Sequence, residues 1–230
     1  MGAPAGPAVV LLSGGMDSAT ALAIAHHRGH RPLYALSLQY GQRHAREVKA
    51  AQAVARHYGA RSIVLDVPLA RVAPSALTRR SVSVPLDRPD AEIGKGIPPT
   101  YVPARNTVFL SLALALAEST RATAIYLGVN AIDYSGYPDC RPEYLRAFRR
   151  LARLATASGV EGRGAPRIEA PLLRMTKADI VRTGTRLGVP WDLTWSCYRG
   201  GARPCGRCDS CRLRAKGFAE ASKAVNKGRK

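Results

Sequence analysis

Residues 8–12 are five apolar positions in a row, two of them valine, and they read as a buried β-strand. Polar and glycine residues follow at 13–15, and the apolar positions that resume at 20–25 belong to a helix ending at Gly29. The alternation then repeats. Residues 33–38 predict a second buried strand. Residues 45–57 predict a helix with Val48, Ala51, Val54 and Ala55 on one face, and 62–67 a third strand closed by Pro68. Strand–helix–strand–helix–strand with short connections is the sequence form of a parallel sheet with right-handed crossovers.

Seven prolines interrupt the rhythm between residues 68 and 103, and a stretch this long is either a lid over a site or a disordered insertion. Regular structure resumes with a helix at 104–118 that is apolar on almost every face, and hence buried between layers, and a fourth strand at 124–129. A helix at 142–157 carries Leu145, Phe148, Leu151 and Leu154 at helical spacing. A turn is expected over 158–164, a fifth strand at 168–173, and a capping box at 176–179 opening a helix that ends at Gly188. The fold class expected is α/β, with a doubly wound, mostly parallel five-stranded sheet of Rossmann type and a helical, metal-binding segment at the C-terminal end. The organisation expected is a nucleotide-binding α/β unit over 8–190, a four-cysteine and helical segment over 191–219 packed on it, and a disordered basic tail over 220–230.

Charge changes this picture little. The net charge is +19, yet the basic residues are 28 Arg against 7 Lys and are spread along the chain. Residues 199–230 hold ten basic and two acidic residues. We read this as weak evidence for nucleic acid, with no obligate nucleic-acid partner expected, and fair evidence for an anionic small substrate. No apolar run is long enough to span a bilayer, and no positively charged segment precedes the first strand, so neither a membrane partner nor a signal peptide is expected and the cytoplasm is the expected location.

Candidate chemistry begins where the first strand ends. Glycines allow close approach of the backbone, the free N–H groups of a helix start point outward, and the helix dipole favours negative charge; Ser13-Gly14-Gly15 ahead of a helix is therefore an anion site. Asp17 or Ser18 is expected to cap that helix. No lysine follows the glycines as a Walker loop requires, and the G-x-G-x-x-G dinucleotide fingerprint is absent. The stretch does match S-G-G-x-D-S. That signature resembles the PP-loop ATP pyrophosphatases, whose loop holds the β,γ-pyrophosphate of ATP. The resemblance implies ATP binding by Leu12, Ser13, Gly14, Gly15, Met16, Asp17, Ser18, Ala19, Thr20, Ala21 and Leu22. An ordinary glycine turn is the alternative, and five matching positions between strand and helix argue against it.

Four of the five cysteines fall in the pattern Cys197-x7-Cys205-x2-Cys208-x2-Cys211, a metal-ligand spacing. Four thiolates complete a tetrahedral Zn²⁺ and leave no open position, so the site is read as structural; an iron–sulfur cluster also uses four cysteines. Cys140 stands apart, as an exposed loop residue or a nucleophile.

Further motifs occur in order: Tyr40-Gly-Gln-Arg-His44, Tyr101-Val-Pro-Ala-Arg-Asn106, Gly128-Val-Asn-Ala-Ile-Asp133, Ser135-Gly-Tyr-Pro-Asp-Cys-Arg141, Thr194-Trp-Ser-Cys-Tyr198 and Cys205-Gly-Arg-Cys-Asp-Ser-Cys211. Together with the glycine turn they resemble the QueC family of 7-cyano-7-deazaguanine synthases from about residue 8 to 219. One departure is Ala104, where that family often has glycine. The resemblance implies an adenine nucleotide alpha hydrolase-like fold and a homodimer. It also implies conversion of 7-carboxy-7-deazaguanine and ammonia, with ATP and Mg²⁺, to 7-cyano-7-deazaguanine through an adenylated acid and an adenylated amide. Ser13, Asp17, Ser18, Arg105 and Lys177 are the candidate catalytic residues. Asp17 is either a helix cap or a Mg²⁺ contact. Arg105 and Lys177 bind phosphate or substrate carboxylate, or else form surface ion pairs. Asp133, Tyr134, Asp139 and Arg141 are candidate readers of the deazaguanine edge, and His44 is a phosphate contact or a structural histidine. Rival readings are adenylation of a tRNA base or a protein acceptor, and a nucleic-acid-binding module built on the four cysteines.

Overall fold

Val9 and Val10 are both fully buried and face opposite sides of the same sheet, because successive residues of a strand alternate across it. They lie on β1 (Ala8–Leu11), the middle strand of a computed structural model that describes residues 5–131 and 136–227. β2 (Leu33–Gln39), β3 (Arg61–Asp66), β4 (Ala124–Tyr126) and β5 (Arg167–Glu169) complete a sheet of order β3-β2-β1-β4-β5. Every pairing is parallel, with Val9 opposite Tyr34 on one side and Ile125 on the other. The α/β class and the five strands are as expected from the apolar pattern.

Helices cover both faces. Val10 and Leu12 pack with α1 (Met16–His27), α2 (Arg46–His57) and α5 (Lys177–Arg186), and Ala221 of α6 (Asp209–Lys227) joins this layer. Val9 and Leu36 pack with Leu110 and Ala113 of α3 (Arg105–Ser119) and with Leu145 and Phe148 of α4 (Pro142–Ala155). The chain winds outward from β1 to β3, then returns to β4 and winds the other way to β5. A crevice opens at the carboxyl ends of the strands where the winding reverses, between β1 and β4.

Several boundaries differ from those expected, each for a local reason. β4 stops at Tyr126 rather than at 129 because Gly128 must pass the start of α1, where a Cβ would lie 2.7 Å from the Ser18 nitrogen. β5 ends at Glu169, two residues before Pro171, which has no N–H to give a ladder. α4 ends at Ala155 because Thr156 is extended, and its Oγ1 accepts from Gly159 N at 3.2 Å to start one more helical turn, Ala157–Val160, inside the expected loop. α6 runs on to Lys227, past the point where fraying was expected, with Ala221 buried against α5 and the sheet. Among the described residues no helix is long and apolar enough to cross a membrane.

The proline-rich segment between β3 and α3 is clasped rather than loose. Arg88 bonds Asp209 at 3.0 Å, Arg207 Nε donates to Asp87 at 2.8 Å, and Arg212 and Lys216 hold the two oxygens of Asp90 at 2.9 and 3.2 Å. Leu86 forms a β-bridge with Cys208, and Arg43 donates to the carbonyls of Arg79 and Val82. These ties lay residues 76–90 over the cysteine segment and the start of α6.

Candidate active site

Gly14 has φ +81°, and a Cβ there would meet Glu47 O at 2.4 Å and Ala51 N at 2.6 Å, so α2 packs directly on the turn and only glycine fits. The turn is tied internally by its two serines. Ser18 Oγ accepts from Ser13 N at 3.2 Å, lies 3.0 Å from Ser13 Oγ and donates to Gly15 O at 3.1 Å. α1 starts at Met16 with Gly15 as its cap, so neither Asp17 nor Ser18 caps it: the Ser18 hydroxyl is engaged with Ser13 and Gly15, and Asp17 is already in the first helical turn.

Asp17 pairs with the neighbouring helix α5 instead. Lys177 Nζ donates to Asp17 Oδ2 at 2.7 Å, and Asp17 Oδ1 is buried with no hydrogen-bond partner among the described residues. Lys177 is the first residue of α5. Thr176 Oγ1 accepts from Asp179 N at 3.2 Å and Asp179 Oδ2 accepts from Thr176 N at 3.0 Å, the reciprocal capping box expected from the sequence. Gly217 of α6 closes on Lys177 from behind, where a Cβ would lie 2.8 Å from that of Lys177. The lysine is therefore aimed by two helices.

On the opposite wall Arg105 opens α3, its guanidinium 5.8 Å from the Tyr40 ring centre and 6.0 Å from that of Phe109. Burial works against its charge, but Tyr40, Tyr137, Cys140 and Asp139 around it hold its pKa above the ordinary arginine value. The residue before it, Ala104, has φ +53°, a left-handed conformation that accounts for glycine at this place in the family it resembles. Asp139 Oδ2 accepts from Asn106 N at 2.7 Å and so caps α3, and Asn106 Nδ2 donates to Cys140 Sγ at 3.0 Å.

The cleft between these walls has a volume of about 230 Å³. Leu12, Ser13, Gly15, Met16, Asp17, Ser18 and Lys177 line it together with Tyr40, Glu47, Arg105, Phe109, Tyr137 and Tyr198. Burial pushes the Glu47 carboxyl up to about 7 although Arg105 pulls it down, and burial raises Tyr40 to about 12.

The structure thus brings the five candidate catalytic residues Ser13, Asp17, Ser18, Arg105 and Lys177 to one cleft, with Leu12, Gly15 and Met16 of the candidate ATP-binding stretch beside them. It does not bring Ala19, Thr20, Ala21 or Leu22 to the cleft. These are buried in the core behind the turn, with Thr20 Oγ1 bonded to Met16 O at 2.8 Å. Asp139 is a helix cap and Arg141 an exposed residue at the start of α4, so neither lines the cleft. Asp133 and Tyr134 lie outside the described residues. Cys140 is buried at 2 % exposure rather than exposed on a loop. His44 is structural in this arrangement. Its Nε2 lies 3.1 Å from Cys197 O, and Gly200 is the one residue small enough to stand against its ring. Glu47, Tyr40 and Tyr198 were missed as site residues. The last two sit inside quoted motifs, and Glu47 follows His44 by three residues, as the second residue of α2.

Cys197, Cys205, Cys208 and Cys211 place their four sulfurs within 4.8 Å of one another, a set that can hold a metal ion. A tetrahedron with metal–sulfur distances near 2.3 Å has sulfurs about 3.8 Å apart, and Cys205 and Cys211 are already at 4.0 Å. Backbone N–H groups of Cys205 and Cys208 point at Cys197 Sγ and Cys205 Sγ at 3.3 and 3.4 Å, as donors to thiolates do. The donor set fits a bound cation. The cluster touches the cleft through Trp195, whose N–H donates to Gly14 O at 2.9 Å and whose indole donates to Cys197 O at 2.9 Å.

Comparison with known proteins agrees with this arrangement. A family model described as queuosine biosynthesis protein QueC matches residues 7–222. The chain is 58% identical to a protein of Anaeromyxobacter dehalogenans over 93% of its own length and 92% of the relative's, and 56% identical to one of Myxococcus xanthus over 93% of each. Both relatives are named 7-cyano-7-deazaguanine synthase. Among solved structures, the U34-tRNA thiolase NcsA of Methanococcus maripaludis aligns with 98% of this chain and 68% of its own at 12% identity and a TM-score of 0.50, a likeness of fold alone. With its motifs in order and its whole α/β body matched, the chain belongs to the QueC family of queuosine biosynthesis proteins.

Proposed function

We propose that this chain converts 7-carboxy-7-deazaguanine and ammonia to 7-cyano-7-deazaguanine at the expense of two ATP. The observation that carries the reading is one cleft lined by an anion-binding glycine turn, by Lys177 and by Arg105 among aromatic rings, in a chain more than half identical to synthases of that name.

A carboxylate is a poor electrophile, so its oxygen first attacks the α-phosphorus of ATP and pyrophosphate leaves with the electrons of the broken P–O bond. The N–H groups of the turn, the hydroxyls of Ser13 and Ser18 and the ammonium of Lys177 receive that pyrophosphate. Arg105 holds the substrate carboxylate and the ring stacks among Tyr40, Phe109 and Tyr137. Ammonia displaces AMP to give the amide. The amide oxygen is adenylated in turn, and loss of AMP with the remaining N–H protons leaves the nitrile. Asp17 Oδ1, buried and unbonded among the described residues, fits a Mg²⁺ contact; that ion neutralises charge on the phosphates when bound. The four thiolates fit Zn²⁺ as a structural ion. We read the protein as a cytoplasmic homodimer acting on small molecules.

Incubation with ATP, Mg²⁺, ammonium and 7-carboxy-7-deazaguanine, followed by mass spectrometry, tests the reading. Amide and then nitrile are expected. Adenylation of tRNA or of a protein, with neither product formed, would replace the substrate assigned here.

A further inference from the structure

Among the described residues two carboxylates line the cleft, and they stand in different circumstances. Asp17 is bonded to Lys177 at 2.7 Å, whereas among the described residues no cation lies within ion-pair distance of Glu47. Glu47 sits in the first turn of α2, its main-chain oxygen against Gly14, so its position relative to the glycine turn is fixed by the closest packing in the site. Tyr40 from the loop after β2, Arg105 from α3, Tyr137 from the loop before α4 and Tyr198 from the cysteine segment line the cleft with it. Of these Arg105 is the cation. On its own helix, Arg46 lies over the Trp195 ring at 5.0 Å and forms no ion pair with Glu47.

We propose that Glu47 is the proton acceptor for the incoming nitrogen, binding ammonium beside the activated acyl group and converting it to the ammonia that attacks.

This rests on the function proposed above. Ammonium has no lone pair, so one N–H bond must break before a C–N bond can form. The Glu47 carboxylate takes that proton and the electron pair stays on nitrogen. The nitrogen then bonds to the acyl carbon while the C–O bond to AMP breaks, its electrons leaving with AMP. The second proton the nitrogen sheds departs with the AMP phosphate. Three features suit Glu47 to this work. It carries a negative charge that attracts a small cation, it lies between the turn that receives pyrophosphate and the arginine assigned to the substrate, and burial brings its titration to about 7, where a base can both take and release a proton. Arg105 cannot take a proton at any relevant pH, and Tyr40 is pushed to about 12 and stays a phenol.

The test separates the half-reactions. ATP–pyrophosphate exchange driven by the carboxylic acid reports adenylation, which needs no nitrogen. Amide formation is then measured with ammonium and, in parallel, hydroxamate formation with hydroxylamine, which is neutral at pH 7 and needs no base to free its lone pair. In Glu47→Gln, exchange and hydroxamate formation should persist while ammonium-dependent amide formation at pH 7 falls by about 100-fold or more. The defect should shrink as pH rises towards 9 and free ammonia becomes available, and Glu47→Asp should recover part of the rate. Unchanged amidation in Glu47→Gln would overturn the proposal. So would loss of exchange and hydroxamate formation in step with amidation, since Glu47 would then serve adenylation or folding. Absence of acid-dependent exchange in the unaltered protein would overturn the function on which the proposal rests, and the proposal with it.

Discussion

Lys177 and Asp17 meet at 2.7 Å although they are 160 residues apart in sequence, one opening α5 and the other in the first turn of α1. Both are largely withdrawn from water, with side chains 10% and 24% exposed. A charge left behind in such a place loses its counter-charge and its hydrogen bond together. Lys177→Met should therefore cost about 2 kcal/mol in a denaturant melt. It should also suppress AMP release, as should Asp17→Ala, and the double variant should lose less than the sum of the two. Additive losses would mean that the two side chains act independently.

Arg105 presents a planar fork against aromatic rings, a geometry that lysine lacks. We expect Arg105→Lys to raise the KM for the carboxylic acid by about 10-fold or more, with a smaller effect on that for ATP. Equal effects on both would move Arg105 to the phosphates.

Ala104 is held at φ +53° immediately before α3. The left-handed region costs an alanine roughly 1–2 kcal/mol, of which glycine's greater freedom in the unfolded chain gives back about 0.5–1. Ala104→Gly should raise stability by about 0.5–1 kcal/mol, read as a higher melting midpoint at unchanged activity per folded molecule.

Cys205→Ser removes one of four sulfurs and should abolish stoichiometric metal, measured by elemental analysis, and lower the melting temperature. Because residues 86–90 are tied to Cys208 and the start of α6, limited proteolysis should then cut within that segment while sparing it in the intact protein. Cleavage unchanged after metal loss would show that the ion pairs alone hold it.

Glu47 is held more easily protonated in the folded chain, at about 7, than at the ordinary 4.5, because burial disfavours its charge. The folded state therefore binds more protons than the unfolded one between these values, and the stability contributed by this site falls as pH rises through that window. Glu47→Gln removes the loss. Relative to the parent, the variant should gain about 1–3 kcal/mol by pH 8 and much less at pH 4. A constant difference across pH would show that the carboxyl does not titrate in this range.

The sheet was legible because five apolar runs each alternate with a helix, and the glycine turn because its chemistry is local: S-G-G-x-D-S carries its own geometry. The cysteine cluster was legible for the same reason. What escaped lay in relations between distant elements. Nothing at Asp139 distinguishes a substrate reader from a helix cap until α3 is seen to start 2.7 Å from it. Ala19 to Leu22 continue the motif along the chain, yet one turn of helix carries them behind the sheet. Glu47 looks like a surface residue of an amphipathic helix, and becomes a cleft residue only because Gly14 lets α2 approach so closely. Pro171 and Gly128, by contrast, were present to limit β5 and β4 and were not used.

The clasp over the cysteine segment has a consequence for how the protein is made. Asp87, Arg88 and Asp90 are bound by Arg207, Asp209, Arg212 and Lys216, residues some 120 positions later in the chain. During synthesis the five strands and the glycine turn are made before those partners. A nascent chain therefore holds a complete sheet under an unsecured roof, and the roof settles, with Lys177 in its final place, only when the cysteine segment and the last long helix arrive.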